Sequence, residues 1–106
     1  MHDLEWSEAE KKIARRVFEA ALHQELGEVM AKFKDKAAHA KEPDDMWAVE
    51  NWLSQQRRGI EAKYDFRYSQ LVVVFGKLLR ESRVTEEQLA GLGEDKLSYI
   101  ERIATL

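Results

Sequence analysis

Apolar residues recur at intervals of three and four along most of the chain, and the breaks in that rhythm divide it into five helices. Behind Ser7-Glu8-Ala9-Glu10, the positions Ile13, Val17, Phe18, Leu22, Leu26, Val29, Met30, Phe33 and Ala37 keep the spacing of one helical face. Ser7 and Glu10 match a capping box, in which hydroxyl and carboxylate satisfy free backbone amides reciprocally. Gly27 weakens this helix by up to ~1 kcal/mol without stopping it. The stop comes at Lys41-Glu42-Pro43, because a residue preceding proline avoids the α region. The first helix is thus predicted at about 34 residues, or ~50 Å.

The second helix is predicted with Asp44 or Asp45 as its N-cap and with an end near Tyr64-Asp65. It carries two faces. Met46, Val49, Leu53, Gln56, Ile60 and Tyr64 form one mainly apolar stripe, while Trp47, Glu50, Asn51, Ser54 and Arg57 form a mixed one. Asp65 is the expected cap of a third helix running through Arg80. Within it, Leu71-Val72-Val73-Val74-Phe75 resembles a buried strand, but no second strand-like run exists to pair with it. As a helix it places Leu71, Val74, Phe75 and Leu78 on one face, with Val72 and Leu79 to the side and Val73 facing out. Thr85-Glu86-Glu87-Gln88 is a second capping box, with Val84 and Leu89 at the positions of a hydrophobic staple. That short helix ends at Gly91-Leu92-Gly93, and Glu94-Asp95 open a last helix carrying Leu97, Ile100, Ile103 and Ala104. Leu71, Val74, Phe75, Leu78, Leu89 and Ile100 are the expected core of this C-terminal part.

The pattern predicts an all-α chain: one domain over 1–106, with long stalk helices paired as a hairpin over 1–64 and a small helical head over 65–106. A compact domain of this length has a radius of gyration near 13 Å, so a ~50 Å helix overhangs it. The second helix, at about 20 residues, cannot cover the first along its length. Met30, Phe33 and Ala37 on the first helix, with Met46 and Trp47 on the second, would then lie bare. The economical cover is a two-fold dimer in which these five residues form the interface.

Composition narrows the function. A net charge of −3 argues against nucleic acid, whose phosphates call for a basic face. Gln55-Gln56-Arg57-Arg58 is a small basic spot and reads as a solvated surface. The chain has no cysteine, which removes disulfide and thiolate chemistry. The longest apolar run, Leu71 to Phe75, is far below the ~20 residues that span a bilayer. The first residues are acidic and carry no secretory signal pattern, so a cytoplasmic protein without membrane insertion is expected. His2, His23 and His39 are scattered, and His23 with Glu19 offers too few ligands for a metal. Glu25 with Glu28, and Asp44 with Asp45, read as a solvated face and a helix cap rather than acid–base pairs. No phosphate loop or nucleophile motif is present, so neither an enzyme nor a cofactor is expected.

Trp47 with Glu50, Asn51 and Arg57 is the candidate binding patch, because tryptophan and arginine are enriched in binding hot spots. A packing role stands beside it, with Trp47 in a dimer interface and Arg57 paired with Glu50 or Glu61.

Trp47, Leu53-Ser54, Arg57, Ile60, Lys63-Tyr64-Asp65, Arg67 and Ser69, then Val74-Phe75 and Asp95-Lys96, resemble the fluorescence recovery protein family of cyanobacteria. The resemblance runs from Trp6-Ser7 to Leu106. It implies an all-α dimer with a helical stalk and head. It also implies a non-enzymatic regulator that binds the photoactivated orange carotenoid protein, through that partner's C-terminal domain, and speeds its return to the orange form. The partner would thereby leave the phycobilisome and photoprotective, non-photochemical quenching would end, on the cytoplasmic side of the thylakoid membrane. The family's functional patch carries over as Trp47 and Arg57. Where its pattern has histidine then aspartate, this chain has Glu50-Asn51, so the family's aspartate–arginine pair cannot form as such and Glu50 substitutes in part. Val73 and Tyr99 also replace different residue types. The same fold with Glu50-Asn51 suits a helical adaptor dimer serving a different protein partner.

Overall fold

The capping box at Ser7 starts the first helix where its spacing predicts. The Ser7 amide donates to Glu10 Oε1 (2.9 Å), and the Glu10 amide donates to Ser7 Oγ (3.1 Å). In the computed structural model, which describes residues 4–106, five helices follow one another: α1 Glu8–His39, α2 Pro43–Lys63, α3 Leu71–Arg80, α4 Glu86–Leu89 and α5 Glu94–Ala104. The chain is all-α, with no strand among the described residues. It divides into two units, one of residues 4–21 with Tyr64–Leu106, the other Leu22–Lys63. His2 lies outside the described residues.

The first unit holds the core. Ala14, Val17, Phe18 and Ala21 of α1 are buried, as are Leu71, Val72, Val74, Phe75 and Leu78 of α3. Val84, Leu89, Leu92 and Ile100 complete it. All six head residues expected in the core are there, while Val72 lies deeper than expected and Val73 is half-buried. Phe18 meets Tyr64 and Phe66 edge-on, with centroids 5.5 and 4.9 Å apart, a favoured aromatic geometry. Gly76 lets α5 approach α3 closely: a Cβ there would sit 2.5 Å from Ile103 Cγ2. The second capping box forms at Thr85 and Gln88, and Gly91 (φ 103°) takes the left-handed position after α4. Helix α3 ends in a Schellman motif, with the Ser82 amide bonded to Leu79 O and that of Arg83 to Leu78 O. Ser82 (φ 60°) occupies the left-handed seat that glycine usually fills.

Lys96 is the residue that the apolar pattern misses. It is 2% exposed, and its ammonium lies 3.0 Å from Glu10 Oε2 and 5.1 Å from the Trp6 ring centroid. The Gly93 amide donates to the same Glu10 oxygen at 2.7 Å. One carboxylate therefore caps α1 and holds both the start and the first turn of α5. Burial raises the Glu10 pKa, but the Ser7 and Gly93 amides and Lys96 outweigh it and bring it to about 2. Leu97, expected to face the core, is only half-buried because Lys96 takes the inward position.

Two caps differ from expectation. Helix α2 starts at Pro43, so Glu42 is its N-cap and neither Asp44 nor Asp45 is. Proline suits the first helical position because its missing N–H has no helical partner there. Asp45 instead accepts from the Lys41 and Glu42 amides (3.0 and 3.1 Å), which holds its carboxyl below the usual range. Asp65 does not cap α3, which begins at Leu71. It pairs with Arg67, whose Nε lies 2.9 Å away, and that two-residue bridge forms in a non-helical segment.

The second unit is built differently. From Leu22 to Lys63 no residue is buried. An ion pair and a cation–ring contact join α1 and α2. Lys63 Nζ lies 2.7 Å from Glu25 Oε1, with both side chains largely covered, and Lys36 Nζ sits 5.1 Å from the Trp52 ring centroid. Both contacts lie within this unit. Glu25, read from the sequence as part of a solvated carboxylate pair, is in this ion pair.

Candidate functional site

Helix α2 leaves Pro43 with a 3.6-residue repeat, so side chains three, four and seven positions apart share a face. Trp47, Glu50, Asn51 and Arg57 follow that spacing, and all four are exposed. Trp47 has 53% of its surface open to solvent. An indole that size left bare in water is costly to hydrate, which makes it a natural anchor.

An open groove of about 650 Å³ lies in the same unit, lined chiefly by Phe33, Ala37, Pro43, Met46, Val49 and Leu53. Its lining is mostly apolar. Phe33, Ala37 and Met46, three of the five residues expected at a dimer interface, share it, while Met30 and Trp47 do not line it. Met30 and Met46 are both more than half exposed (57% and 52%). A second hollow of about 410 Å³ continues along α2 past Leu26, Val29, Leu53 and Ile60. Glu50 lines both hollows and Arg57 only the second. Glu50 is thus the polar residue shared by the two apolar hollows. The groove wall at Ala40 to Pro43 was not foreseeable from helical spacing, because it is built by the connection between helices.

The Arg57 guanidinium pairs with Glu61, Nε to Oε1 at 2.8 Å, one turn along α2. Both side chains are exposed, so this pair contributes little to stability. It does orient the guanidinium and leaves its remaining N–H groups for a bound carboxylate. Among the described residues no group of three or more His, Cys, Asp or Glu could hold a metal ion. No described helix is long and apolar enough to cross a membrane. The α2 patch thus presents an exposed indole, a guanidinium and a carboxylate, with Glu50 on the rim of an apolar groove.

Comparison with known proteins matches residues 6–104 to the family described as photoprotection regulator fluorescence recovery protein. A fluorescence recovery protein of Synechocystis sp. PCC 6803 is 38% identical over 101 residues, covering 95% of this chain and 93% of that one. The solved structure of the Synechocystis protein superposes with a TM-score of 0.89 at 37% identity. That of the Fremyella diplosiphon fluorescence recovery protein gives 0.89 at 33% identity. Each covers 96% of this chain and the whole of the other.

Proposed function

Since the chain belongs to the fluorescence recovery protein family of photoprotection regulators, we propose that it binds the photoactivated orange carotenoid protein and accelerates its return to the orange form. The partner is thereby released from the phycobilisome and non-photochemical quenching ends. The protein acts without covalent chemistry, in the cytoplasm and, in a cyanobacterium, on the cytoplasmic side of the thylakoid membrane. Acceleration of this kind requires tighter binding to the transition state for closure than to the open state.

The working form is a two-fold dimer of a single domain, with stalk helices over 1–64 and head helices over 65–106. The observation that carries the assembly is the lack of any buried residue from Leu22 to Lys63. A helix pair with no core cannot offset the entropy of its own ordering. A second copy laid on the groove at Phe33, Ala37 and Met46, and on Met30 and Trp47, supplies the missing cover. Met46→Glu is expected to weaken the dimer by about 2–3 kcal/mol, since a carboxylate would be buried without a partner. Light scattering at micromolar concentration reads this, and a monomeric wild type would overturn the assembly.

Trp47, Glu50, Asn51 and Arg57 contact the partner's C-terminal domain in this reading. Arg57 offers a planar fork for a carboxylate that lysine cannot reproduce. Arg57→Lys should therefore keep helix content and dimerisation while slowing red-to-orange recovery about ten-fold. Asn51 cannot hold Arg57 by charge, and Glu61 holds it instead. Asn51→Asp should raise the recovery rate above wild type. Recovery followed by absorbance in the dark, at equal dimer concentration, tests both. If neither wild type nor Asn51→Asp accelerates recovery, the second reading takes over. That reading, favoured by Glu50-Asn51 and by the Arg57–Glu61 pair, is a helical adaptor dimer with a different protein partner.

A further inference from the structure

The first unit presents a basic, aromatic-backed face that the function above does not use. Lys11, Lys12, Arg15 and Arg16 lie along α1 beside its buried stripe of Ala14, Val17 and Phe18, with Lys11 half-buried and the other three exposed. They line a shallow hollow of about 570 Å³ with Tyr68, which is 39% exposed, and with Glu8 and Glu19. Four cations against two carboxylates make this a local positive region on a chain whose net charge is −3.

Three features set it apart from an ordinary solvated helix. First, Lys11 with Arg15 and Lys12 with Arg16 are like-charge pairs one turn apart, a spacing that disfavours the helix. Second, two of the cations are held on rings. The Arg15 guanidinium carbon lies 3.8 Å from the Phe66 centroid, and Lys11 Nζ lies 5.3 Å from that of Tyr68. Those rings are themselves fixed, Phe66 against Phe18 and Tyr68 against Trp6. Cations ordered before binding lose less freedom when a ligand arrives. Third, Lys12 and Arg16 make no ion pair among the described residues, whereas Lys11 and Arg15 have helical partners in Glu8 and Glu19 (3.4 and 3.6 Å).

We propose that this face, Lys11, Lys12, Arg15 and Arg16 over Phe66 and Tyr68, is a second docking surface that takes an acidic segment of a protein partner. The two flanking carboxylates decide the class. Glu8 and Glu19 stand about 16 Å apart along α1. They fence the hollow at both ends and repel a continuous anionic lattice such as a bilayer surface or a nucleic-acid backbone. Between them fits an extended stretch of about five residues, whose side-chain carboxylates reach the cations individually. Arginine stacked on a ring grips a carboxylate in two bonds, and Tyr68 adds a hydroxyl at the rim.

The test is a titration of ¹⁵N-labelled protein with a capped penta-glutamate peptide at low ionic strength, with affinity followed by fluorescence anisotropy of the labelled peptide. Saturable amide shifts confined to α1 between Lys11 and Glu19 and to Phe66–Tyr68 are expected, with affinity falling as salt rises. Lys12→Gln with Arg16→Gln, both exposed, should lower affinity at least ten-fold with an unchanged circular dichroism spectrum. Lys32→Gln with Lys34→Gln, elsewhere on α1, should change it less than two-fold. Arg15→Lys keeps the charge and loses the stack, and should weaken binding about three-fold. Shifts that fail to saturate at millimolar peptide would overturn the proposal. So would equal losses from the two double variants, or equally tight binding of the same residues to an oligo-dT strand or to phosphatidylglycerol vesicles.

Discussion

Glu10→Ala is expected to lower the unfolding free energy by about 3–5 kcal/mol, the loss that follows when one partner of a buried ion pair is removed. The substitution leaves the Lys96 ammonium, 2% exposed, without its closest carboxylate. Asp95 is 3.5 Å from the same nitrogen but is half exposed and cannot replace it. The Ser7 and Gly93 amides lose their acceptor as well. Urea melts monitored by circular dichroism measure the loss. The double variant Glu10→Ala, Lys96→Met should recover at least half of it, because the stranded charge is then gone. A loss below 1 kcal/mol in the single variant would mean that the pair is not buried in solution. The pair also sets an acid limit. Glu10 titrates near 2 when folded against an ordinary value of 4.5. Its folded pKa is depressed, so its contribution is fully present above about pH 4.5 and is lost as pH falls toward 2. The stability difference between wild type and Glu10→Ala should therefore shrink across that window, and a difference that stays constant would contradict the assignment.

Phe75→Ala should cost about 3–5 kcal/mol by leaving a ring-sized cavity. Phe75 is fully buried, between equally buried Leu71 and Leu78 on the same face of α3. Val73, two positions back on a half-buried face, should lose no more than about 1 kcal/mol on conversion to alanine. Urea melts compare the two directly. Equal losses would mean that α3 is rotated relative to the core.

Much of this fold is legible because local and tertiary signals agree. Ser7 with Glu10 and Thr85 with Gln88 are capping boxes both in sequence and in three dimensions. Gly91 sits where a left-handed residue ends α4. Helix α3 is apolar on a contiguous face, and that face is its buried one. The failures have physical causes. Lys96 is counted as polar by any periodicity, yet a carboxylate 86 positions earlier makes its burial tolerable, and no local window contains that partner. Asp65 looks like a cap because it precedes an apolar run, but Arg67 captures its carboxylate first. Pro43 marks a break in the apolar rhythm and is also a helix start, and spacing alone does not separate the two roles. The basic face on α1 is not legible from its own stretch of sequence, where Lys11, Lys12, Arg15 and Arg16 have no ring beside them. Phe66 and Tyr68, which order two of them, lie some fifty positions further on. The patch on α2 was readable as residue types at helical spacing. The groove beside it was not, because the connection between two helices forms one of its walls.

The first unit is assembled from the two ends of the chain, and that dictates an order of events. Phe18 meets Tyr64 and Phe66, and Glu10 finds Gly93 and Lys96 still further along the chain. During synthesis the amino-terminal half of α1 therefore leaves the ribosome with an apolar face that nothing yet covers, and it waits until the residues from Tyr64 to Lys96 have followed. Contacts of such long sequence separation come late and make folding slow for a helical protein. The interval before the final turn of α5 emerges is when this chain is most exposed to chaperones, proteases and its own neighbours on the polysome.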